Sequence, residues 1–291
     1  MALADKLKRL GPGLVTGAAD DDPSGIATYS QAGAQFGPGL MWTMTLCYPL
    51  MVAVQLVSAR VGRVTGHGLG KSLGKIMPNW LAIGLIAVLF VANTINIGAD
   101  LAAMGEASAL VVGGWSHGFT MLFAVASLLL QLFVPYHRYV NFLKWLTLVL
   151  FAYIALLFMV KVDWRAAAEG LVIPRVPSAD AFTTIVAIFG TTISPYLFFW
   201  QAAQEVEDID QNAERKPLKD KASQASDALS RIRWDTFVGM AVSNIVALAI
   251  ILGTAATLNI AGKTDIQSAA DAAEALKPVA GNLAFLIFSL G

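Results

Sequence analysis

Eight apolar stretches run through this chain, at about residues 11–35, 39–59, 80–111, 118–135, 141–161, 181–204, 234–259 and 278–291. Most approach the roughly 20 residues that a helix needs to cross a hydrocarbon core. In lipid every backbone polar group must find its partner within the protein, which leaves a bundle of spanning helices as the fold for such a pattern. Composition agrees: 56% of residues are hydrophobic, 14% are charged and the mean hydropathy is +0.63, whereas an ordinary soluble domain carries about 25% charge. The eighth stretch is still apolar at Gly291. The sequence therefore reads as an all-α polytopic membrane protein whose chain ends within helix 8.

Charge sets the expected orientation. With the N-terminus in the cytoplasm, fifteen of the twenty Lys and Arg fall on the inner side, and only Lys161, Arg165, Arg175, Lys263 and Lys277 fall outside. That is the positive-inside pattern of a multi-pass protein of the plasma or inner membrane. The N-terminal residues lack a signal-peptide core, so the first span is expected to serve as a retained insertion signal. Net charge is zero, which implies no nucleic-acid partner. A single cysteine, Cys47, excludes an internal disulfide. The charged run 205–233 reads as a solvated inner loop, with a possible helical extension of the sixth span. The connection 60–79 reads as an amphipathic surface helix. Trp42, Trp80, Trp115 and Trp164 read as interfacial anchors. His67, His117 and His137 are assigned to loops.

Three adjacent acids, Asp20, Asp21 and Asp22, lie inside the first apolar stretch, and Pro23 follows them. Carboxylates at membrane depth cost about 2.5–3.5 kcal/mol each on insertion scales and are retained mainly where they line a cavity or hold an ion. Proline removes a donor and breaks the helix. The sixth stretch repeats the arrangement: Gly190-Thr-Thr-Ile-Ser-Pro195 places small and hydroxylated residues before a mid-segment proline. Two broken spans, with five spans to each presumed repeat, are the signature of an inverted-repeat transporter whose site lies between the unwound stretches. The repeats are read as 1–161 and an incomplete 181–291, within a single transmembrane transporter domain.

The stretch Gly11-Pro-Gly, Asp22-Pro-Ser-Gly-Ile-Ala-Thr and Gln31-Ala-Gly-Ala-Gln-Phe-Gly37 resembles the first helix of the natural-resistance-associated macrophage protein (NRAMP) family of divalent-metal transporters. Val64-Thr-Gly-His-Gly-Leu69, Ala99-Asp-Leu-Ala102 and Gly190–Pro195 resemble later family segments, in the family's order. The resemblance implies the LeuT-like fold, with helices 1 and 6 broken at mid-membrane, and secondary-active transport by alternating access. It implies a metal ligand role for Asp22 and for the carbonyl of Thr191, and a proton-pathway role for Asp100. Departures fall on the site itself. Ser24 and Gly25 stand where the family has glycine and a ligand asparagine. Ser194 stands at the position of a ligand methionine, and Tyr196-Leu197 replace a His-Asn pair. Ala103 falls where a glutamate is common.

Those departures have a chemical direction. An oxygen set made of Asp22, Asp21 or Asp20, Ser194 and Thr191 suits hard cations, whereas a thioether suits softer ones. Magnesium keeps several waters and takes one or two carboxylates. The expected cargo is therefore a divalent ion biased toward Mg2+ over Mn2+ or Fe2+, with protons as a candidate coupled partner, and no bound cofactor is called for. Asp22 before Pro23 is also an ordinary helix start, with Asp as N-cap, and the two roles coexist. A carrier of small organic solutes such as amino acids is the alternative, although three adjacent carboxylates would repel an anion. No His-Glu-x-x-His or Gly-x-Ser-x-Gly motif points to an enzyme.

Overall fold

The computed structural model describes residues 16, 17, 19–134 and 147–290. Every element among these is helical. Eleven α-helices follow residues 16–20: α1 (Pro23–Phe36), α2 (Trp42–Thr65), α3 (Leu69–Ile76), α4 (Asn79–Val112), α5 (Ser116–Phe133), α6 (Phe151–Leu157), α7 (Trp164–Val172), α8 (Ala179–Thr192), α9 (Pro195–Asp210), α10 (Ala225–Thr254) and α11 (Ala269–Leu290). Among the described residues, five helical stretches are long and apolar enough to cross a membrane: α2, α4, α5, α8 with α9, and residues 222–259 around α10. Large apolar side chains such as Ile83, Phe90, Leu122 and Phe133 are exposed on α4 and α5, as spans facing lipid require.

Both expected breaks are present. The helix ahead of Asp21 stops, Asp22 is extended at φ −74°, ψ 167°, and α1 restarts at Pro23. In the sixth span α8 ends at Thr192, Ser194 is extended at φ −73°, ψ 133°, and α9 restarts at Pro195. Proline at the first position of a new helix loses nothing, because that N–H has no intrahelical partner anyway.

The chain forms two compact units. One contains residues up to Asp20, Tyr48–Ile95 and Ile193–Val242. Its apolar centre is Met51, Val52 and Met240, packed by Tyr48, Leu56 and Ile193. Within it α2 and α9 come so close that a Cβ on Gly62 would lie 2.3 Å from the Ala202 carbonyl oxygen. The hydroxyl of Thr16 donates to Gln201 Oε1, joining the stretch before the first break to α9.

The charged run in this unit is mostly exposed over 210–227, as read from sequence, but its two ends are packed. The sixth span does extend, to Asp210, and α10 begins already at Ala225. Glu205 is fully buried, and its Oε2 accepts from Arg231 Nη2 at 2.6 Å. Arg231 reaches Asp208 at 3.4 Å, and Arg215 also pairs with Asp208. The backbone N–H groups of Leu218 and Lys219 donate to the carbonyls of Arg63 and Val64, docking the loop on the end of α2. Partners distant in sequence bury Glu205 and most of Arg231, while most residues of 210–227 are exposed. The 60–79 connection does contain a helix, α3, with no buried residue.

The second unit contains Asp21–Cys47, Asn96–Thr192 and Ser243–Gly291. Here α1 packs on α8 and on a π-turn at Ala255–Asn259. Gly33 makes the approach of α1 to α10 possible, since a Cβ there would meet the Ile251 carbonyl oxygen at 2.2 Å. The Asn259 amide donates to the Ala34 carbonyl at 2.9 Å. Tyr153 of α6 and Phe288 of α11 meet edge to face, 5.0 Å between centroids.

Three boundaries differ from the sequence reading. The eighth segment begins at Ala269 rather than 278, because Ala272, Ala273 and Leu276 already bury one face, and it passes Pro278 with a kink at Gly281, φ 88°. The fifth span is helical only to Leu157 among its described residues, and 141–146 lie outside them. His117 belongs to the first turn of α5 rather than a loop. His137 lies outside the described residues.

Candidate functional site

Asp22 is the centre of a hydrogen-bonded cluster inside the second unit. The break before α1 leaves the first N–H groups of that helix without intrahelical acceptors. Asp22 Oδ1 fills the gap, accepting from Gly25 N at 2.8 Å and from the Ser24 hydroxyl at 2.7 Å. The capping role weighed from the sequence is therefore real. Asp22 Oδ2 points to a different element and accepts from the Asn96 side-chain amide of α4 at 2.9 Å.

The end of α8 completes the arrangement. The Ser24 and Thr191 hydroxyls lie 3.5 Å apart, and Tyr29 shares a 2.8 Å hydrogen bond with Thr192. Two hydroxyl contacts thus hold the start of α1 against the last turn of α8, where the backbone ladder is interrupted. Asp100 lies four residues beyond Asn96 on α4 and so shares its face. Its Oδ1 is buried and has no hydrogen-bond partner among the described residues.

Of the residues expected from sequence, Asp21, Asp22, Thr191 and Asp100 belong to this unit, with Asp22 and Thr191 linked through Ser24. Asp21 is buried. Asp20 and Ser194 belong to the other unit, where each is buried. The tyrosine after Pro195, Tyr196, directs its hydroxyl to the Ala19 carbonyl at 3.5 Å within that unit. Glu106, near the end of α4, is exposed.

Sequence reasoning missed Asn96. The signal was present: an asparagine inside a 34-residue apolar helix, where polar side chains are costly and usually partnered. Its spacing of four from Asp100 also marked a shared face.

Chemically the cluster is rich in oxygen and poor in charge. A carboxylate offers about four lone-pair positions, and at least three on Asp22 are occupied by the donors above. Among the described residues no group of three or more His, Cys, Asp or Glu is placed to hold a metal ion. A cation meeting Asp22 would find a carboxylate that already holds neutral donors, with the Ser24 and Thr191 hydroxyls as neighbouring neutral oxygens.

The family model described as natural resistance-associated macrophage protein-like matches residues 13–291. Among curated relatives, the divalent metal cation transporter MntH of Erwinia tasmaniensis is 27% identical, over 98% of this chain and 67% of its own length. MntH of Pectobacterium carotovorum is 26% identical with the same coverage. A crystal structure of a mutant Eremococcus coleocola manganese transporter superposes with a TM-score of 0.77 at 18% identity, over 99% of this chain and 62% of that one. This chain therefore spans about two thirds of the length of the proteins it matches. The LeuT-like helical fold implied by the family resemblance is borne out by that superposition. The match over nearly the whole chain makes this protein a member of the natural resistance-associated macrophage protein (NRAMP) family.

Proposed function

We propose that this protein carries divalent metal cations across a membrane by alternating access, with Asp22 as the anionic ligand and a cargo that keeps much of its water. The support is the saturation of the Asp22 carboxylate. With at least three lone pairs engaged by Gly25, Ser24 and Asn96, Asp22 meets a cation as a carboxylate already held by neutral donors. A single carboxylate with water and neutral oxygens is a coordination that magnesium accepts and softer metals do not require. In this reading Thr191 supplies neutral oxygens, Asp21 a second acid, and Ser194 an oxygen in place of sulfur. The relatives' names, which specify divalent metal cations and manganese, support the cargo class and give none to the organic-solute alternative.

Orientation follows the charge count, with the N-terminus in the cytoplasm of a plasma or inner membrane. The two repeats, 1–161 and 181–291, remain the proposed domain organisation. Asp100 is the proposed proton-pathway group, since its buried oxygen faces the same side of α4 as Asn96.

Purified protein in liposomes loaded with magnesium- and manganese-sensitive dyes tests the reading. Wild type should pass Mg2+ at least as well as Mn2+, and Asp22→Ala should abolish both fluxes. Wild-type flux no greater than that of empty liposomes ends the proposal. Asp100→Asn should uncouple any accompanying proton flux. Unchanged metal and proton fluxes in that variant remove Asp100 from the mechanism.

A further inference from the structure

Helix α1 carries Ser24, Thr28 and Gln31 on one stripe, at spacings of four and three. Opposite them α4 presents Ala99, Ala102, Ala103 and, one turn beyond Ala103, Glu106. The small alanines leave a cavity of about 370 Å³ between the two helices, lined by that polar stripe, by Glu106 and by Gln267 and Ser268 of the turn before α11. Nearby lies a groove of about 380 Å³ that shares Pro23 and Ala103 but is lined by Met104, Phe123, Tyr153 and Phe288, with no charged residue. Of these two neighbours only the first carries a charged side chain, Glu106.

The acidic character extends around its mouth. Gln267 donates from its side chain to Asp265 at 2.6 Å and from its backbone to Asp271 at 3.2 Å. Gln31 also borders a further cavity of about 510 Å³, which contains Asp180 with Thr183 and Thr184. Lys263 is the one basic residue within the 260–268 turn. On the proposed orientation, the end of α4, the start of α8 and the 260–268 turn all lie on the extracytoplasmic side.

Size and chemistry agree on an occupant. Six waters at about 30 Å³ each need about 180 Å³, so a fully hydrated divalent ion fits. One carboxylate among neutral oxygens cannot strip that ion, but it can hold it through water. The stripe then leads from Gln31 and Thr28 to Ser24, whose hydroxyl is bonded to Asp22. We propose that this cavity is a staging site for the hydrated cation, with Glu106 as its anionic anchor. The inference rests on the reading of this protein as a divalent-cation carrier.

Two measurements test it. In liposomes, Glu106→Gln should raise the KM for Mg2+ about three- to tenfold while leaving the maximal rate unchanged. Raising ionic strength should narrow the difference, because exposed charge is screened, and Glu106→Asp should restore most of the affinity. A KM and salt dependence equal to wild type overturn the staging site while leaving transport intact. Independently of transport, Mn2+ titration followed by electron paramagnetic resonance on Asp22→Ala protein should detect weak residual binding that Glu106→Gln abolishes. Residual binding that survives Glu106→Gln, or none in Asp22→Ala, likewise overturns it. Absence of wild-type flux with residual binding still dependent on Glu106 would instead count against the carrier reading alone.

Discussion

Replacing Arg231 by methionine separates a buried ion pair from a decorative one. Glu205 is 0% exposed and Arg231 13% exposed at the side chain, with 2.6 Å between Oε2 and Nη2. At an effective dielectric of about 20, that pair attracts by about 6 kcal/mol, and the 3.4 Å contact to Asp208 adds about 5. Most of this attraction is offset by the cost of taking both charges out of water, so the informative quantity is the loss on breaking the pair from one side. Arg231→Met strands the Glu205 carboxylate, whose Oε1 already lacks a hydrogen-bond partner among the described residues, and should destabilise by about 3–5 kcal/mol. Glu205→Gln leaves the guanidinium with Asp208 and should cost about 1–3 kcal/mol. The double variant Arg231→Met, Glu205→Leu buries no lone charge and should recover most of the loss. Denaturant titration of the detergent-solubilised protein, following tryptophan fluorescence, measures all three. An Arg231→Met cost below about 1 kcal/mol, or a double variant no better than that single one, would show that water reaches the pair and that the burial argument fails.

Asn96→Leu removes the donor to Asp22 Oδ2 while keeping the helix. The Mg2+ KM should rise by about tenfold, the equivalent of one charged hydrogen bond of about 1.4 kcal/mol, and a vesicle flux assay that finds no change dissociates Asn96 from the site. Gly33→Val drives a Cβ into the Ile251 carbonyl and should cost about 1–3 kcal/mol, seen as a lower melting temperature in detergent; an unchanged melting temperature contradicts the close approach. Ser194→Met restores a thioether and should tilt the ratio of Mn2+ or Cd2+ flux to Mg2+ flux upward, whereas a constant ratio across the three ions argues against Ser194 as a ligand.

What the sequence made legible depended on how local the cause was. Pro23 and Pro195 break their helices through a missing donor and a fixed φ, both properties of the residue itself, so the interrupted spans could be read directly. The capping use of Asp22 was legible for the same reason, since its acceptor reaches only three residues ahead. Asn96 was not paired with Asp22, because that contact depends on how α4 is rotated against α1. Glu205 was misread as solvated because a run of mixed charge looks the same in a loop as along two packed helices. The start of α11 was misplaced because Pro278 usually ends a helix, and only burial of Ala272, Ala273 and Leu276 shows the helix continuing upstream.

The cap made by Asp22 has a consequence for how this residue should be probed. Alanine there deletes two things together: a negative charge, and a helix cap of about 0.5–2 kcal/mol. A dead alanine variant could therefore reflect a frayed α1 as readily as a lost ligand. Asparagine retains the capping oxygen and removes the charge, while serine keeps a shorter cap and removes the charge as well. Amide exchange at Gly25, whose N–H is held by Asp22 Oδ1, gives the corresponding readout. Slow exchange with lost flux assigns the defect to charge, and fast exchange assigns it to the helix start. The same amide should also slow when a cation binds, which makes the first turn of α1 an intrinsic reporter of occupancy.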